Sequence, residues 1–115
     1  MDNEERAEAL ISKYGFDFDK VPKDEVTKLI NDELANFQNG SSEYIRVLCG
    51  YLFCLGDISD VPLLNKVKYG ISFDVGCMID GEWIESLENG DRERRKELVD
   101  DFVSYYVNYF GIDNK

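Results

Sequence analysis

Apolar residues recur every three or four positions along two segments of the N-terminal half, which is the period of an amphipathic helix. The segments cover residues 2–13 and 23–37, and Pro22 stands where it can open the second helix. Their apolar sides consist of Ala7, Leu10, Ile11, Val26, Leu29, Ile30, Leu34 and Phe37. Gly40, followed by two serines, predicts the end of the second helix and the start of the next.

A third segment, "EYIRVLCGYLFCLG", is apolar on nearly every side. Only Glu43 and Arg46 carry charge in it, so the segment is expected at the centre of a helical bundle. Gly50 lies in its middle, where glycine costs about 1 kcal/mol of helix stability relative to alanine. A glycine at this position predicts a close crossing with another helix.

Two segments further along carry signals for a helix start and a helix end. "DISDVPLLNKVKYG" offers Ser59 or Asp60 as a cap and places Pro62 in the first turn. "RERRKELVDDFVSYYVNYF" follows Asp91 as a cap, carries a broad aromatic face and stops at Gly111. Both segments are predicted to be helices.

Residues 66–84 fit two different patterns. Strict alternation, which is the strand period, is shown by Val67, Tyr69, Ile71, Phe73 and Val75. Asp80 and Gly81 would then form a type I′ hairpin turn. A four-residue repeat, which makes one helical stripe with Ser72 or Asp74 as its cap, is shown by Val75, Ile79, Trp83 and Leu87. The pattern alone leaves both a helix and a hairpin open.

The composition predicts one folded domain over residues 1–115. The chain is 43% hydrophobic and contains seven Phe, seven Tyr and one Trp, which is enough apolar material for one core. It has no apolar run long enough to cross a membrane, and it begins with the acidic "MDNEERAEAL" instead of a secretory signal. We therefore expect a cytoplasmic protein.

The charge balance favours a basic protein as partner. Asp and Glu number 24 against 13 Lys and Arg, which gives a net charge of −11. Such a chain repels nucleic acid and anionic membranes, and it attracts positively charged proteins. The one cationic cluster, Arg92, Arg94, Arg95 and Lys96, is expected to pair with neighbouring acids.

No residue pattern predicts an enzyme, a cofactor or a metal site. The chain has no His, which removes the commonest general base. Cys49, Cys54 and Cys77 match no zinc or redox spacing and are interpreted as reduced core residues, with Cys77 the most exposed. The spacing of a calcium loop and the glycines of a phosphate loop are also missing.

The stretch "FDVGCMIDGEWIESLENGD", residues 73–91, is the candidate binding surface because it combines six carboxylates with apolar side chains. The predicted partner-binding residues are Asp74, Asp80, Glu82, Trp83, Glu85 and Glu88. Asp74 is also a candidate helix cap, and Asp80 a candidate bond to Lys68 or to backbone amides. Trp83 fits the core as well as the rim of a surface, whereas no structural role is predicted for the three glutamates.

The run "LGDISDVPLLNKVKYGISFDVGCMIDGEW", residues 55–83, resembles a segment of bacterial helical proteins that are encoded beside polymorphic or contact-dependent growth-inhibition toxins as immunity proteins. In that pattern a Leu-Gly turn and an Asp open a helix that ends near a Lys, and Phe-Asp, Cys and Ile-Asp follow. The matching residues are Gly56, Asp60, Lys68, Phe73, Asp74, Cys77, Ile79 and Asp80. The chain departs from the pattern where Asn65 replaces a Trp and "IESLENG" replaces a Gly-Ala-Gly stretch.

The resemblance implies a HEAT-like helical fold and favours the helical interpretation of residues 66–84. The predicted fold is therefore all-α, with five to six short helices in antiparallel pairs, arranged in a HEAT-like manner or as an irregular bundle. An α+β fold with a hairpin at residues 66–84 is the alternative.

The resemblance and the charge together predict an immunity protein that binds a cognate bacterial toxin domain and occludes its active site. A basic toxin of the nuclease type is expected, because a nuclease cleft carries positive charge to hold phosphates. Complementary charge would speed association, and buried aromatic residues would hold the complex. The alternative function is that of a non-enzymatic adaptor or regulator with an acidic helical surface.

Overall fold

The computed structural model describes residues 1–111, which fold into helices joined by short turns. The α-helices are α1 (Asn3–Tyr14), α2 (Lys23–Ala35), α3 (Glu43–Leu55), α4 (Val61–Gly70), α5 (Phe73–Met78), α6 (Gly81–Asn89) and α7 (Arg92–Phe110). Short 3₁₀ helices at Phe18–Lys20 and Ile58–Asp60 precede α2 and α4. No strand occurs in residues 1–111, so the predicted all-α class is confirmed and the hairpin alternative for residues 66–84 is wrong.

Helix α3 lies at the centre of the fold, as its apolar sequence predicts. It packs against α1, α2, α5 and α6. The buried apolar residues of α3 are Tyr44, Ile45, Val47, Leu48, Cys49, Tyr51, Leu52 and Phe53. A helix that is surrounded on so many sides has no polar face to give to solvent, which is why it carries only two charged side chains. The HEAT-like arrangement stays a prediction.

Gly50 makes room for the ring of Phe102, a residue of α7, against the backbone of α3. A Cβ atom at this position would lie 2.6 Å from Cζ and 2.7 Å from Cδ1 of Phe102 on α7. The Phe102 ring is 1% exposed and is enclosed by other rings, among them Trp83 at 5.8 Å and Tyr106 at 5.2 Å between centroids. The glycine therefore accommodates a side chain of α7 against α3, whereas a close crossing of the two helices stays a prediction.

The predicted helical stripe from Val75 to Leu87 is divided between α5 and α6. The amide of Ile79 still donates to the carbonyl of Val75, at 3.2 Å. Asp80 then leaves the helical region, and its Oδ1 accepts a hydrogen bond from the amide of Glu82 at 2.9 Å. Because a capped helix begins at this point, residues 1–111 contain seven α-helices instead of the five or six predicted.

Lys68 holds the end of α5 against α4. Its Nζ donates to the carbonyl oxygens of Gly76, at 2.6 Å, and Ile79, at 2.5 Å. A Cβ on Gly76 would lie 2.7 Å from the carbonyl oxygen of Lys68, so the two helices touch through backbone atoms. Lys68 therefore neutralises the last carbonyls of α5, and of the two kinds of partner predicted for Asp80, Lys68 and backbone amides, Lys68 is not the one used.

A buried polar cluster fastens α1 to α2 and to the connection that follows. Arg6 forms an ion pair with Glu33, whose side chain is 6% exposed. The same guanidinium donates to Oδ1 of Asn3 at 2.9 Å. Asn3 in turn donates through Nδ2 to the carbonyls of Gln38, at 2.9 Å, and Ser41, at 2.7 Å. The start of α1 is thus fixed by long-range hydrogen bonds that spacing in the sequence does not reveal.

The end of α2 differs from the prediction. The helix stops at Ala35, and Asn36 turns away with a φ of −152°. Phe37, expected on the apolar face of the helix, instead packs against the core from the following loop. Gly40, with a φ of +122°, therefore lies within this loop and does not end the helix.

A second polar cluster joins the start of α3 to the last turns of α7. The hydroxyl of Tyr106 donates to the buried carboxylate of Glu43 at 2.6 Å. The guanidinium of Arg46 lies over the ring of Tyr105, 4.4 Å from its centroid. Burial, with a smaller contribution from the bond to Glu43, raises the pKa of Tyr106 above its ordinary value.

Candidate protein-binding surface

Helix α6 carries half of the predicted binding residues on one side. Its inner side places Trp83, Ile84 and Leu87 in the core, each no more than 6% exposed. Its outer side carries Glu82, Glu85 and Glu88, all exposed, which we call the acidic stripe. A spacing of three residues keeps side chains on one face of a helix, so the three carboxylates form a continuous line.

The glutamates of the acidic stripe differ in their ion pairs. Arg94, on α7, pairs with Glu82 and also donates to Glu97 at 2.9 Å. Within residues 1–111, Glu85 and Glu88 take part in no ion pair. The uncompensated negative charge of the stripe therefore lies at Glu85 and Glu88.

Asp74 and Asp80 differ in their structural roles and in their exposure. Asp80 has a structural role as the cap of α6 through a backbone amide, as described above. Asp74 is exposed in the first turn of α5, where the helix dipole favours a carboxylate. The cap of α5 is Ser72, whose Oγ accepts from the amide of Val75 at 3.2 Å. Of the two aspartates, Asp74 is the one whose side chain is open to a partner.

Trp83 belongs to the core and is removed from the set of binding residues. Its ring is stacked on that of Phe53, with 5.6 Å between centroids and 6° between planes. Only 2% of the residue is exposed. Its place in the repeat from Val75 to Leu87 predicts this position, whereas its acidic neighbours point wrongly to the rim of a surface.

An open groove of about 390 Å³ adjoins the acidic stripe, between the 3₁₀ helix Ile58–Asp60 and the connection from α6 to α7. Carboxylates of Asp57, Glu88 and Asp91 line it, together with apolar atoms of Leu87 and the cationic side chains of Arg92 and Arg95. Ile58 lies at the same place with 61% of its surface exposed. The groove thus offers an apolar contact next to the unpaired carboxylate of Glu88, and two arginines line it as well.

Asp57 is held ionised at the edge of this groove. The side-chain hydroxyl and the backbone amide of Ser59 both donate to its Oδ1, the amide at 2.8 Å. These hydrogen bonds, led by the one from the hydroxyl, hold the pKa of Asp57 below its ordinary value. The groove therefore keeps this negative charge under mildly acidic conditions.

Two members of the cationic cluster at the start of α7, Arg94 and Arg95, have different structural roles. Arg94 pairs with acids, as predicted. Arg95 does not: its Nη2 donates to the carbonyl oxygens of Phe53, Cys54 and Gly56, at 3.1, 3.2 and 2.6 Å. These carbonyls belong to the end of α3, which has no partners of its own for them. Arg95 therefore fixes one wall of the groove through backbone carbonyls, and its charge also contributes to the lowered pKa of Asp57.

Two exposed aromatic side chains were not among the predicted binding residues. Tyr69, in the last turn of α4, is 77% exposed, and Phe73, the first residue of α5, is 85% exposed. Large apolar side chains so open to water are candidates for contact with a partner. Both residues fall outside the apolar repeat of Leu64 and Val67. An aromatic residue outside such a repeat is the sequence signal that could have identified them as exposed.

The thiols and acids of the described residues form neither a nucleophilic site nor a metal site. Burial raises the pKa of Cys49, and it raises that of Cys54 to about 12, so neither thiol is an available nucleophile. Cys77 is exposed, so its interpretation as a core residue is wrong. Residues 1–111 contain no group of three or more potential metal ligands.

No helix in this part of the chain is both long enough and apolar enough to cross a membrane. No protein-family model, curated protein or solved structure matches the chain.

Proposed function

We propose that the chain is an inhibitor of the immunity type, which binds a basic bacterial toxin domain in the cytoplasm and covers its active site. The observation that carries the proposal is the acidic stripe of α6. Glu85 and Glu88 stand on one side of a helix whose other side is locked into the core, and they have no ion pair within residues 1–111. Carboxylates fixed in this way are prepared to meet the positive charge of a nuclease cleft.

The groove beside the acidic stripe supplies apolar contacts, which charge alone does not provide. Exposed ion pairs contribute little affinity, about 0.2–1 kcal/mol each, and mainly speed the encounter. Tight complexes depend on a few apolar side chains that become buried in the centre of the interface. Ile58, in the groove, and Glu88, at the stripe, would provide both kinds of contact within one surface. Inhibition would then follow from steric occlusion, without catalysis or a cofactor.

Co-expression with basic nuclease-type toxin domains tests the proposal through rescue of bacterial growth. The variant Glu85→Lys/Glu88→Lys should weaken binding to a rescued toxin about tenfold or more, because two attractive charges become repulsive. The matched control is Asp100→Lys/Asp101→Lys, which makes the same change in net charge at exposed positions of α7. The proposed site is wrong if both variants rescue growth equally well, and the proposed function is wrong if no basic toxin is neutralised.

Ionic strength separates the electrostatic part of the proposal from the steric part. Raising salt from 0.05 to 0.5 M shortens the screening length to a few ångströms, so the association rate with the toxin should fall steeply. The dissociation rate, which reflects apolar contacts such as Ile58, should change much less. An association rate that does not respond to salt would argue against charge complementarity as the recognition principle.

An adaptor that binds partners irrespective of charge is the second candidate. The exposed rings of Tyr69 and Phe73 favour it, since they would bind any apolar surface. This function predicts a complex that is insensitive to salt and to Glu85→Lys/Glu88→Lys but is lost in Tyr69→Ser/Phe73→Ser. The inhibitor predicts the opposite pattern, so the two double variants distinguish the candidates.

A further inference from the structure

A second groove, of about 570 Å³, lies between α1 and the C-terminal end of α7. Its lining includes the carboxylates of Asp2, Glu4, Glu5 and Glu8 and the rings of Tyr109 and Phe110. Met1, Ala9 and Ser12 complete the lining, and no Lys or Arg of residues 1–111 belongs to it. Four negative charges and two aromatic rings thus face one opening, which we call the α1–α7 groove.

The aromatic wall of the α1–α7 groove is fixed and partly open to water. Tyr109 is 43% exposed and stacks on Tyr105, with 5.7 Å between centroids and 17° between planes. Two further rings, Phe110 and Tyr106, meet it edge to face with centroids 4.8 and 6.2 Å away. The hydroxyl of Tyr109 donates to Oε1 of Glu4 at 3.0 Å, which raises the pKa of Tyr109 to about 12. The ring is therefore neutral at physiological pH and held in one orientation.

The carboxylates on the opposite wall are only partly used by the fold. Asp2 and Glu5 form the capping box of α1, and Glu4 accepts the hydroxyl of Tyr109. Glu8, one turn further along the exposed side of α1, has no hydrogen bond or ion pair within residues 1–111. Its charge is therefore available to a cation that enters the groove.

Elsewhere in the fold, the same combination of ring and carboxylate is filled by an arginine. The guanidinium of Arg6 lies 3.8 Å from the ring centroid of Tyr44 while it pairs with Glu33. A flat guanidinium can stack on an aromatic face and donate to a carboxylate in its own plane at the same time. Tyr109 and Glu8 offer these two contacts to a cation from outside.

We propose that the α1–α7 groove is a docking surface for an arginine side chain of a basic protein segment, stacked on Tyr109 and paired with the carboxylates of α1. Arginine is favoured over lysine because only the guanidinium is flat and bidentate. The surface is separate from the acidic stripe. Arg94, which binds the stripe, and Tyr109 are fifteen residues apart on α7, or about 22 Å along the helix axis. An experiment can therefore disprove this docking surface and leave the proposed inhibition through α6 intact. Likewise, the inhibition can be disproved and the docking surface left intact.

Titration of the ¹⁵N-labelled full chain at low salt tests the proposal, with amide chemical shifts as the readout. The probe is the capped peptide Gly-Arg-Gly-Arg-Gly, and the comparison is Gly-Lys-Gly-Lys-Gly. The largest shifts are expected in the first turns of α1 and the last turns of α7, with tighter binding of the arginine peptide. Glu8→Gln should weaken this binding about two- to fivefold, as expected for an exposed ion pair. Glu85→Gln, the matched change on α6, should leave it unaltered.

Two replacements of Tyr109 separate the ring from its hydroxyl group. Tyr109→Leu keeps an apolar side chain but removes the aromatic face, and it should weaken binding of the arginine peptide about two- to fivefold. Tyr109→Phe keeps the face and should bind at least as well as the original. The proposal is overturned by shifts centred on α6, by equal affinity for the lysine peptide, or by equal effects of the Leu and Phe variants. Shifts that grow with protein concentration before peptide is added would assign the groove to a second copy of the chain and would also overturn it.

Discussion

The replacement Gly50→Ala gives the sharpest test of the packing at the centre of the fold. The added methyl group would overlap the ring of Phe102, since it would stand 2.6 Å from Cζ where carbon atoms normally keep about 3.5–4 Å apart. Phe102 has little room to move, because Phe16, Tyr51 and Trp83 surround it with centroids 5.8 to 6.4 Å away. The clash must therefore be relieved by a shift of α7 relative to α3.

The expected cost follows from two opposing effects. Overpacking of a tight core costs about 1–3 kcal/mol, and the size of this overlap places it at the upper end of that range. Alanine has a higher helix propensity than glycine, which stabilises the helix by about 1 kcal/mol and offsets part of this cost. The free energy of unfolding should therefore fall by about 2 kcal/mol, which corresponds to a melting temperature about 8 °C lower for a domain of this size.

Urea and thermal unfolding followed by far-UV circular dichroism measure this change. The matched control is Gly70→Ala, at a helical glycine with no atom within 4 Å of the added Cβ, which should be neutral or slightly stabilising. Combining Gly50→Ala with Phe102→Leu should recover at least 1 kcal/mol relative to the sum of the single changes, because both act on one contact. If Gly50→Ala proves as stable as Gly70→Ala, the packing of the Phe102 ring against Gly50 is refuted.

Three further predictions concern other parts of the fold. Lys68→Met removes the donor to two carbonyls at the end of α5 and should lower the free energy of unfolding by about 2 kcal/mol in urea titrations. Arg6→Met leaves Glu33 buried without its cation and should cost about 2–3 kcal/mol by the same measurement. Stability should also fall as pH rises above about 10, because the raised pKa values of Tyr106 and Tyr109 make the unfolded chain lose these protons first. This stabilisation is complete below pH 10 and disappears as the pH passes the raised values.

Each of these predictions has its own control. Lys66→Met, an exposed change on the same helix as Lys68, should alter stability by no more than about 0.5 kcal/mol. Arg6→Met combined with Glu33→Gln should be more stable than Arg6→Met alone, and additive costs would show that the ion pair is not formed. In the pH experiment, near-ultraviolet absorbance of the folded protein should show tyrosines that ionise late. Ionisation of every tyrosine near pH 10 would contradict the buried positions described here.

Features that depend on neighbouring residues could be predicted from the sequence. The central position of α3 follows from its two charges among thirteen residues, and the ends of α7 follow from Asp91 and Gly111. The break between α5 and α6 is less visible, because the apolar repeat runs through it. Asp80 starts a new helix because its side chain accepts a hydrogen bond from a backbone amide two residues later.

The candidate binding surfaces likewise combine features that the local sequence predicts with features that depend on distant residues. Once α6 is a helix, the exposure of Glu85 and Glu88 follows from their spacing. The partners of Arg95 are about forty residues away along the chain, so no local pattern distinguishes it from Arg94. The α1–α7 groove depends on a contact between Glu4 and Tyr109, 105 positions apart, and neither end of the chain suggests it alone.

The position of Trp83 gives the protein a natural optical probe. It is the only tryptophan of the chain, and its indole ring lies between the central helix and α7 while the opposite side of the same short helix carries the acidic stripe. Its fluorescence emission therefore arises from a buried site, where the Arg46 guanidinium lies 5.3 Å from the ring, and shifts to longer wavelength when the core opens. A ligand that covers only the outer side of that helix leaves this emission unchanged, so one spectrum distinguishes occupation of the surface from damage to the interior.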